Sequence, residues 1–264
     1  MDIKDFPNPK LELPTLLRDS KNTATITCFC SIDDYLKVVG KYIYTDINLD
    51  YQSTDPNHAH AWVQKIVSSA LLRSLYLRNA FVEAINARNP IGMFLPLKAW
   101  FETVGLLAAI LDLLEKKLPQ KEFFEKLQPY VLGNRGKGNF RVGKHDAISV
   151  ATMIEKADKY MRNITKERKV GIEIPTDTFF TDFYDMASNP SHPSFEAHEM
   201  VGSLADNGIW SAKTPEEVSL QIIEEIPGYG GLLMSPVFIE SICSKIFSIE
   251  KEHFAALNSK KYFS

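Results

Sequence analysis

Residues 96–117 read PLKAWFETVGLLAAILDLLEKK, and this stretch decides the fold class. Apolar side chains lie nearly all round its second half, which is typical of a helix that other elements surround. Its most apolar run, Val104 to Leu111, is eight residues long and ends at Asp112, whereas a membrane span needs about 20 residues. The stretch predicts a central helix, from about Ile91 to Lys117, in a protein that does not cross a membrane.

Helical periodicity continues on both sides of this stretch. Apolar residues from Trp62 to Ile85 recur at spacings of three and four after the helix-start signal Asp55 and Pro56, and Pro90 ends that long helix. Later helices are predicted with Asp146 and Asp177 as N-terminal caps, and residues 189–193 end the second of these. The predicted later helices are 120–132, 146–162, one that begins after residue 175, and 235–257.

The first 54 residues have a different character. Pro7, Pro9 and Pro14 indicate an irregular lead-in, and alternation over 23–30 and 41–51 is typical of short strands. We therefore expect residues 1–54 to form an irregular or short-strand segment and residues 55–264 to form the helical domain. Consecutive helices with short connections pack antiparallel, so the predicted fold is mainly α, an antiparallel helical bundle with a small irregular or β-containing N-terminal segment.

Composition excludes several functional classes. The 264 residues include 30 basic and 33 acidic side chains, a net charge of −3, which argues against a generic electrostatic nucleic-acid binder. The three cysteines, Cys28, Cys30 and Cys243, are too few for a disulfide framework and indicate a reducing compartment. Since no signal-peptide pattern is visible, we expect a cytoplasmic protein without a membrane partner.

The sharpest local change in composition lies at residues 133–145. Four glycines accompany four cations, and no acidic residue is present. Residues 138–145, GNFRVGKH, differ from a P-loop at His145, where a magnesium-binding hydroxyl is required, and a helical pattern precedes them instead of a strand. We therefore expect phosphate binding without nucleotide hydrolysis, and the alternative is a solvated loop with no ligand. The predicted ligand-binding residues are Arg135, Lys137, Arg141 and Lys144.

Two histidines late in the sequence are candidate metal ligands. His192 and His198 bracket Glu196, which would supply nitrogen and oxygen donors, but the spacing matches no strong metal motif. The HExxH pattern that begins at His198 lacks its second histidine. We expect neither a metal nor a cofactor.

Two pairs of opposite charge lie four residues apart on the central helix. Lys98 and Glu102 flank Trp100 and Phe101, so we expect this pair to project into the bundle interior, as a structural link or as a site. Asp112 and Lys116 have the same spacing, and such pairs are mostly surface salt bridges.

Two segments together resemble bacterial all-α proteins of the HEPN-like type. Residues 96–102, PLKAWFE, resemble the R-x-x-x-E helix of that family, and residues 183–193, FYDMASNPSHP, resemble its helix end with Tyr, Leu-Ser and His-Pro. The similarity covers about residues 62–201. It implies an all-α bundle, often dimeric, in defence or toxin–antitoxin settings, where some members cleave RNA without metal. Carried over, it makes the candidate catalytic residues Lys98, Glu102, Tyr184 and His192.

This chain departs from the ribonuclease pattern at one place. Ribonuclease members have an Arg, then four to six intervening residues, then the His, whereas no Arg follows Arg168 here, and Lys98 replaces the family's helical Arg. We therefore expect a protein that binds RNA or another phosphate-bearing ligand, with the four candidate residues clustered in the core and the basic loop at the rim. The alternatives are a metal-independent ribonuclease that uses His192 with Lys98 or a loop cation, and an interaction module without catalysis.

Overall fold

The computed structural model describes residues 6–10, 34–44, 47, 59–132, 146–168, 177–192, 198, 200–214, 216–217 and 236–255. These ranges contain seven α-helices, one short 3-10 turn and one two-stranded sheet, which confirms the mainly α fold class. The helices are α1 Tyr35–Gly40, α2 Ala59–Asn86, α3 Pro90–Glu115, α4 Gln120–Leu132, α5 Val150–Arg168, α6 Phe179–Ser188 and α7 Pro236–Ala255. The strands are β1 Gly202–Leu204 and β2 Trp210–Ala212, and the 3-10 turn is Asn189–Ser191.

The chain divides into two compact units. The first consists of residues 1–41, 73–101 and 181–238, and the second of residues 42–72, 102–180 and 239–264. Helices α2 and α3 each contribute residues to both units. The domain boundary predicted after residue 54, like the helix-start signal at Asp55 and Pro56, lies outside the described residues.

In the first unit, side chains of α2 hold the beginning of the chain. Residues 6–10 have no regular backbone structure, as their prolines predict. Their carbonyl oxygens find partners on α2 instead: the fully buried Arg78 donates to the carbonyl of Pro9 at 2.6 Å, and Asn79 donates to that of Pro7 at 2.6 Å. Since a buried guanidinium is tolerated only when it is hydrogen-bonded, these contacts fix the irregular segment against the helix.

The N-terminal strands are not observed where they can be examined. Residues 41–44 contain no strand, and residues 23–30 lie outside the described ranges. Helix α1 occurs in the segment that was expected to be irregular or β. Its Tyr35 and Val39 are four residues apart and fully buried, and the Tyr35 hydroxyl accepts a hydrogen bond from the Trp100 indole at 2.9 Å. This i, i+4 apolar pair gives the short helix its buried face.

The observed sheet is a hairpin that the sequence analysis did not predict. Strand β1 pairs antiparallel with β2, and Gly202 lies opposite Ala212. The turn contains Gly208 at φ 78°, a conformation that favours glycine. A Cβ on Gly202 would lie 2.1 Å from the Trp210 ring, so a side chain at this position would displace that half-exposed indole. Strands of three residues are too short to show the alternation by which strands are recognised.

The break between α2 and α3 falls where Asn89 and Pro90 predict it. Arg88 takes the left-handed conformation, φ 56°, at the end of α2. The side-chain oxygen of Asn89 then accepts a hydrogen bond from the backbone N–H of Gly92 at 2.8 Å, which is the geometry of an N-terminal cap. Arg88 therefore marks the end of α2, and Asn89 caps the start of α3.

Two predicted helix caps are wrong. Helix α5 starts at Val150, where the Ser149 hydroxyl accepts the backbone N–H of Thr152 at 3.1 Å, so Ser149 and not Asp146 is the cap. At the start of α6, the backbone N–H of Phe180 donates to the buried carboxylate of Asp158 on α5 at 2.5 Å. The Asp158 carboxylate, which belongs to another helix, therefore caps α6 in place of Asp177.

The second half of α3 is buried, as its all-round apolar composition predicts. Within the second unit, every side chain from Thr103 to Leu114 is buried except the half-buried Leu106. Gly105 lets α5 approach closely, because a Cβ at this position would lie 3.0 Å from the backbone of Met153. In the described part of the chain, Ile91–Glu115 is the one segment long and apolar enough to cross a membrane, and 72% of its most apolar window is buried inside the protein. A helix that is buried in a protein core meets the same criteria of length and apolar composition.

We expect Gly105→Ala to destabilise the protein. Alanine favours a helix over glycine by up to about 1 kcal/mol, but the added methyl group meets rigid backbone of α5, and such overpacking costs about 1–3 kcal/mol. Urea unfolding followed by circular dichroism should show a net loss of roughly 1 kcal/mol. The control is Ser69→Ala at an exposed position of α2, and equal stability of the two variants would contradict the close approach.

Candidate functional site

Three of the four predicted site residues meet in the first unit. The Nζ of Lys98, on α3, lies 3.2 Å from the Nε2 of His192. The same ammonium group lies over the ring of Tyr184, on α6, at 5.8 Å from the ring centroid. We call these three side chains the Lys98 cluster. Two segments that are about 90 positions apart in the sequence thus supply one group of polar side chains, as the two family-like motifs predict.

The end of α6 positions His192. Pro190 is buried in the 3-10 turn and has no backbone N–H with which to continue a helix. The Ser191 hydroxyl donates to the carbonyl of Ala187 at 2.8 Å, and the His192 backbone N–H donates to the carbonyl of Asn189 at 3.2 Å. These bonds occupy carbonyl oxygens at the helix end, so His192 leaves the turn in an extended conformation at a fixed place.

The contact between Lys98 and His192 requires a neutral imidazole. A lysine ammonium carries three donors and no acceptor, so in this hydrogen bond Nε2 of His192 must accept. The imidazole proton then resides on Nδ1. The Lys98 cluster therefore combines a cation, an imidazole whose Nε2 lone pair accepts from that cation and whose Nδ1 keeps its N–H, and a phenol.

The Lys98 cluster lies at the surface and not in the core, which corrects the predicted location. His192 is exposed, and Lys98 and Tyr184 are half-buried. The neighbouring Trp100 and Phe101 are fully buried. Because successive helical residues are rotated by about 100°, the apolar neighbours of Lys98 in the sequence do not share its direction. A dissolved ligand can reach the cluster without any opening of the core.

Glu102, the fourth candidate catalytic residue, is described separately from the Lys98 cluster. It is half-buried and belongs to the second unit, whereas the contacts that join Lys98 to Tyr184 and His192 lie within the first. The candidate site that the structure defines consists of three of the four predicted residues.

The structure does not test the other residues that were predicted to bind a ligand. The basic loop residues Arg135, Lys137, Arg141 and Lys144 lie outside the described residues, and so does Glu196. His198 is exposed. Within the described ranges, no three His, Cys, Asp or Glu side chains come together in a way that would hold a metal ion.

A buried charged group that sequence reasoning placed at the surface lies in the second unit. Asp112, on α3, is buried and contacts three lysines: Lys159 at 2.5 Å, Lys116 at 3.0 Å and Lys156 at 3.3 Å. We call these four residues the lysine cluster. The position of Asp112 within the apolar run from 104 to 114 was the available signal, because a carboxylate there shares the burial of its neighbours.

The lysines control the ionisation of Asp112. Burial alone would raise the pKa of this carboxyl, since it disfavours the charged form. The hydrogen bonds from Lys159 and Lys116 and the positive charge of Lys156 outweigh burial, and they lower the pKa of Asp112 to about 2. Asp112 is therefore ionised throughout the physiological range.

A second buried carboxylate links α7 to α2 within the same unit. Oε1 of Glu250 lies 2.5 Å from Nδ1 of His60, and Nε2 of His60 lies 2.9 Å from the amide nitrogen of Gln64. Burial and the charge of Glu250 raise the pKa of the nearby Tyr44 hydroxyl. Nε2 of His60 is hydrogen-bonded to Gln64, whereas Nδ1 approaches the Glu250 carboxylate closely without forming a hydrogen bond.

The comparisons with known proteins do not identify a family. Neither a protein-family model, nor a curated protein, nor a solved structure matches this chain. The resemblance to HEPN-like proteins therefore stays a prediction that depends on two short motifs.

The shifted pKa predicts how stability depends on pH. The pKa of Asp112 is about 2 in the folded protein and about 3.9 in an unfolded chain. The ionised carboxylate therefore contributes stability above about pH 4, and this contribution disappears as the pH falls toward 2. Because the lysines are half-exposed, we expect about 1–2 kcal/mol at neutral pH.

The measurement is the free energy of unfolding in urea between pH 7 and pH 3. Asp112→Asn should be less stable than the unmodified protein at pH 7, and the difference should shrink as the pH falls below 4. Asp177→Asn is the control, because the Asp177 side chain is 88% exposed. A difference for Asp112→Asn that stays constant down to pH 3 would contradict the assignment.

Proposed function

We propose that this protein binds a phosphate-bearing ligand at the Lys98 cluster, and that the ligand class is single-stranded RNA. The observation that carries the proposal is the 3.2 Å contact between Lys98 Nζ and His192 Nε2 on an exposed surface. Polar groups held together by two separate helical segments at the surface are typical of a binding site.

The cluster contains the donors that a phosphodiester needs. Lys98 offers a positive charge and further donors beyond the one used on His192, and the neutral imidazole keeps an N–H donor at Nδ1. A lysine beside a phosphate is the sequence-independent component of nucleic-acid affinity. The net charge of −3 for the chain is compatible with this local contact, since the long-range field of the protein contributes little.

Tyr184 favours RNA over an isolated phosphate. Its ring lies beside the Lys98 ammonium and is half-buried. Proteins that bind single strands combine cations along the backbone with aromatic side chains that contact unstacked bases. The resemblance of residues 96–102 and 183–193 to HEPN-like proteins supports the same ligand class.

The binding test uses a short fluorescein-labelled RNA oligomer and fluorescence anisotropy. Lys98→Gln should weaken binding roughly tenfold, the loss of one charge-assisted hydrogen bond, and should reduce the salt dependence by about one phosphate contact. Lys126→Gln is the matched control, because Lys126 is half-exposed on α4 and its removal changes the net charge equally. The same affinity in both variants would disprove a phosphate contact at Lys98.

The same contact favours RNA cleavage without metal as a second function. When Lys98 turns from His192 to the phosphate of a bound strand, Nε2 of the neutral imidazole regains its lone pair and can take the proton of a ribose 2′-hydroxyl, while Lys98 stabilises charge on the phosphate. The 2′-oxygen then attacks the adjacent phosphorus, the bond from phosphorus to the 5′-oxygen breaks, and the leaving oxygen takes a proton from water. The products are a 2′,3′-cyclic phosphate and a 5′-hydroxyl.

Cleavage is tested with labelled RNA in the presence of EDTA on denaturing gels. We expect His192→Ala to lose cleavage while its thermal unfolding is unchanged, because the side chain is exposed. His198→Ala, which removes another exposed histidine, should retain activity. Equal cleavage by the two variants would exclude His192 as the base and leave the binding proposal to the anisotropy experiment.

A further inference from the structure

The lysine cluster in the second unit carries more positive charge than its one carboxylate neutralises. Lys116 and Lys156 both contact Oδ2 of Asp112, at 3.0 and 3.3 Å, and Lys159 contacts Oδ1 at 2.5 Å. Two ammonium groups that share one oxygen are necessarily close together. The four groups sum to a charge of +2 at neutral pH, and the like charges repel one another.

Two other acidic groups described on α3 and α5 are engaged elsewhere. Glu115 pairs with Lys245 at 3.4 Å, and Asp158 accepts the backbone N–H of Phe180. Glu155 is exposed on α5. Burial and the charge of Asp112 raise the pKa of Tyr130 on α4, so that this hydroxyl stays protonated.

The cluster is open to solvent on the side of the cations. The Asp112 side chain is 7% exposed, whereas those of Lys116 and Lys159 are 47% and 49% exposed. The Asp112 carboxylate is therefore buried, whereas the lysine side chains around it reach the solvent. Each ammonium has three donors, so contact with Asp112 leaves donors for a second anion.

We propose that the lysine cluster binds a doubly charged phosphate group, either inorganic phosphate or the terminal monoester of a larger ligand. Such a group carries about −1.5 to −2 charges at pH 7, which matches the excess of the cluster. A phosphodiester carries a single charge and has two ester oxygens, so it matches less well. In this site Asp112 is a positioning residue, since it gathers the lysines without contacting the ligand.

This inference is independent of the Lys98 cluster, because it depends on different residues and a different class of phosphate. The probes are inorganic phosphate, phenyl phosphate and dimethyl phosphate, titrated at constant ionic strength and followed by phosphorus-31 NMR. We expect saturable binding of the first two, and binding of the diester roughly tenfold weaker or more. Tighter binding of inorganic phosphate would identify a free ion as the ligand source, and tighter binding of phenyl phosphate would identify a terminal monoester.

Variants locate the binding on the protein. Lys156 has the longest contact with Asp112, so its replacement disturbs the cluster least. Lys156→Gln should weaken phosphate binding roughly fivefold to tenfold, and Lys156→Arg should retain most of it because the charge is kept. Lys126→Gln, which removes an exposed lysine of the same unit, should bind as tightly as the unmodified protein.

Three results would overturn the proposal. They are the absence of saturable binding to the folded protein, unchanged binding in Lys156→Gln, and loss of binding in Lys98→Gln, which would place the phosphate at the other cluster. Circular dichroism melting confirms that each variant is folded. If Lys156→Gln does not fold, Lys116→Gln makes the same test, since Lys116 is half-exposed and contacts the same oxygen.

Discussion

Burial of helix α3 is the constraint on which the rest of this structure depends. A helix whose side chains from Thr103 to Leu114 are almost all buried can carry a charged group there only if other helices supply partners. Asp112 meets that requirement through two lysines of α5 and through Lys116, which directly follows the end of α3. Gly105 meets a steric requirement of the same kind, since it leaves room for the backbone of α5.

Much of the helical framework could be predicted, because it depends on local periodicity. The helix predicted over 120–132 has the observed bounds, and the break at Asn89 and Pro90 is where residue chemistry places it. The wrong caps show what local reasoning lacks. Asp158 caps α6 from another helix, and such a contact is not encoded in the residues around the helix start. The β1–β2 hairpin could not be predicted, because three-residue strands are too short to show alternating apolar and polar residues.

The sequence predicted which residues form the candidate site, but it did not predict their exposure to solvent. Lys98, Tyr184 and His192 come together, whereas the expectation that they lie in the core was wrong. Burial was assigned from sequence neighbours, but adjacent residues on a helix face different directions. Local sequence patterns also could not predict the lysine cluster. Spacing revealed the pair Asp112 and Lys116, and the lysines of α5, more than 40 positions away, are visible only in the folded chain.

The contact between Lys98 and His192 joins residues that are 94 positions apart in the sequence. Lys98 lies within α3, whereas His192 follows the 3-10 turn after α6. The Lys98 cluster therefore exists only when these two segments are folded together, and a peptide that contains either segment alone would have none of its geometry.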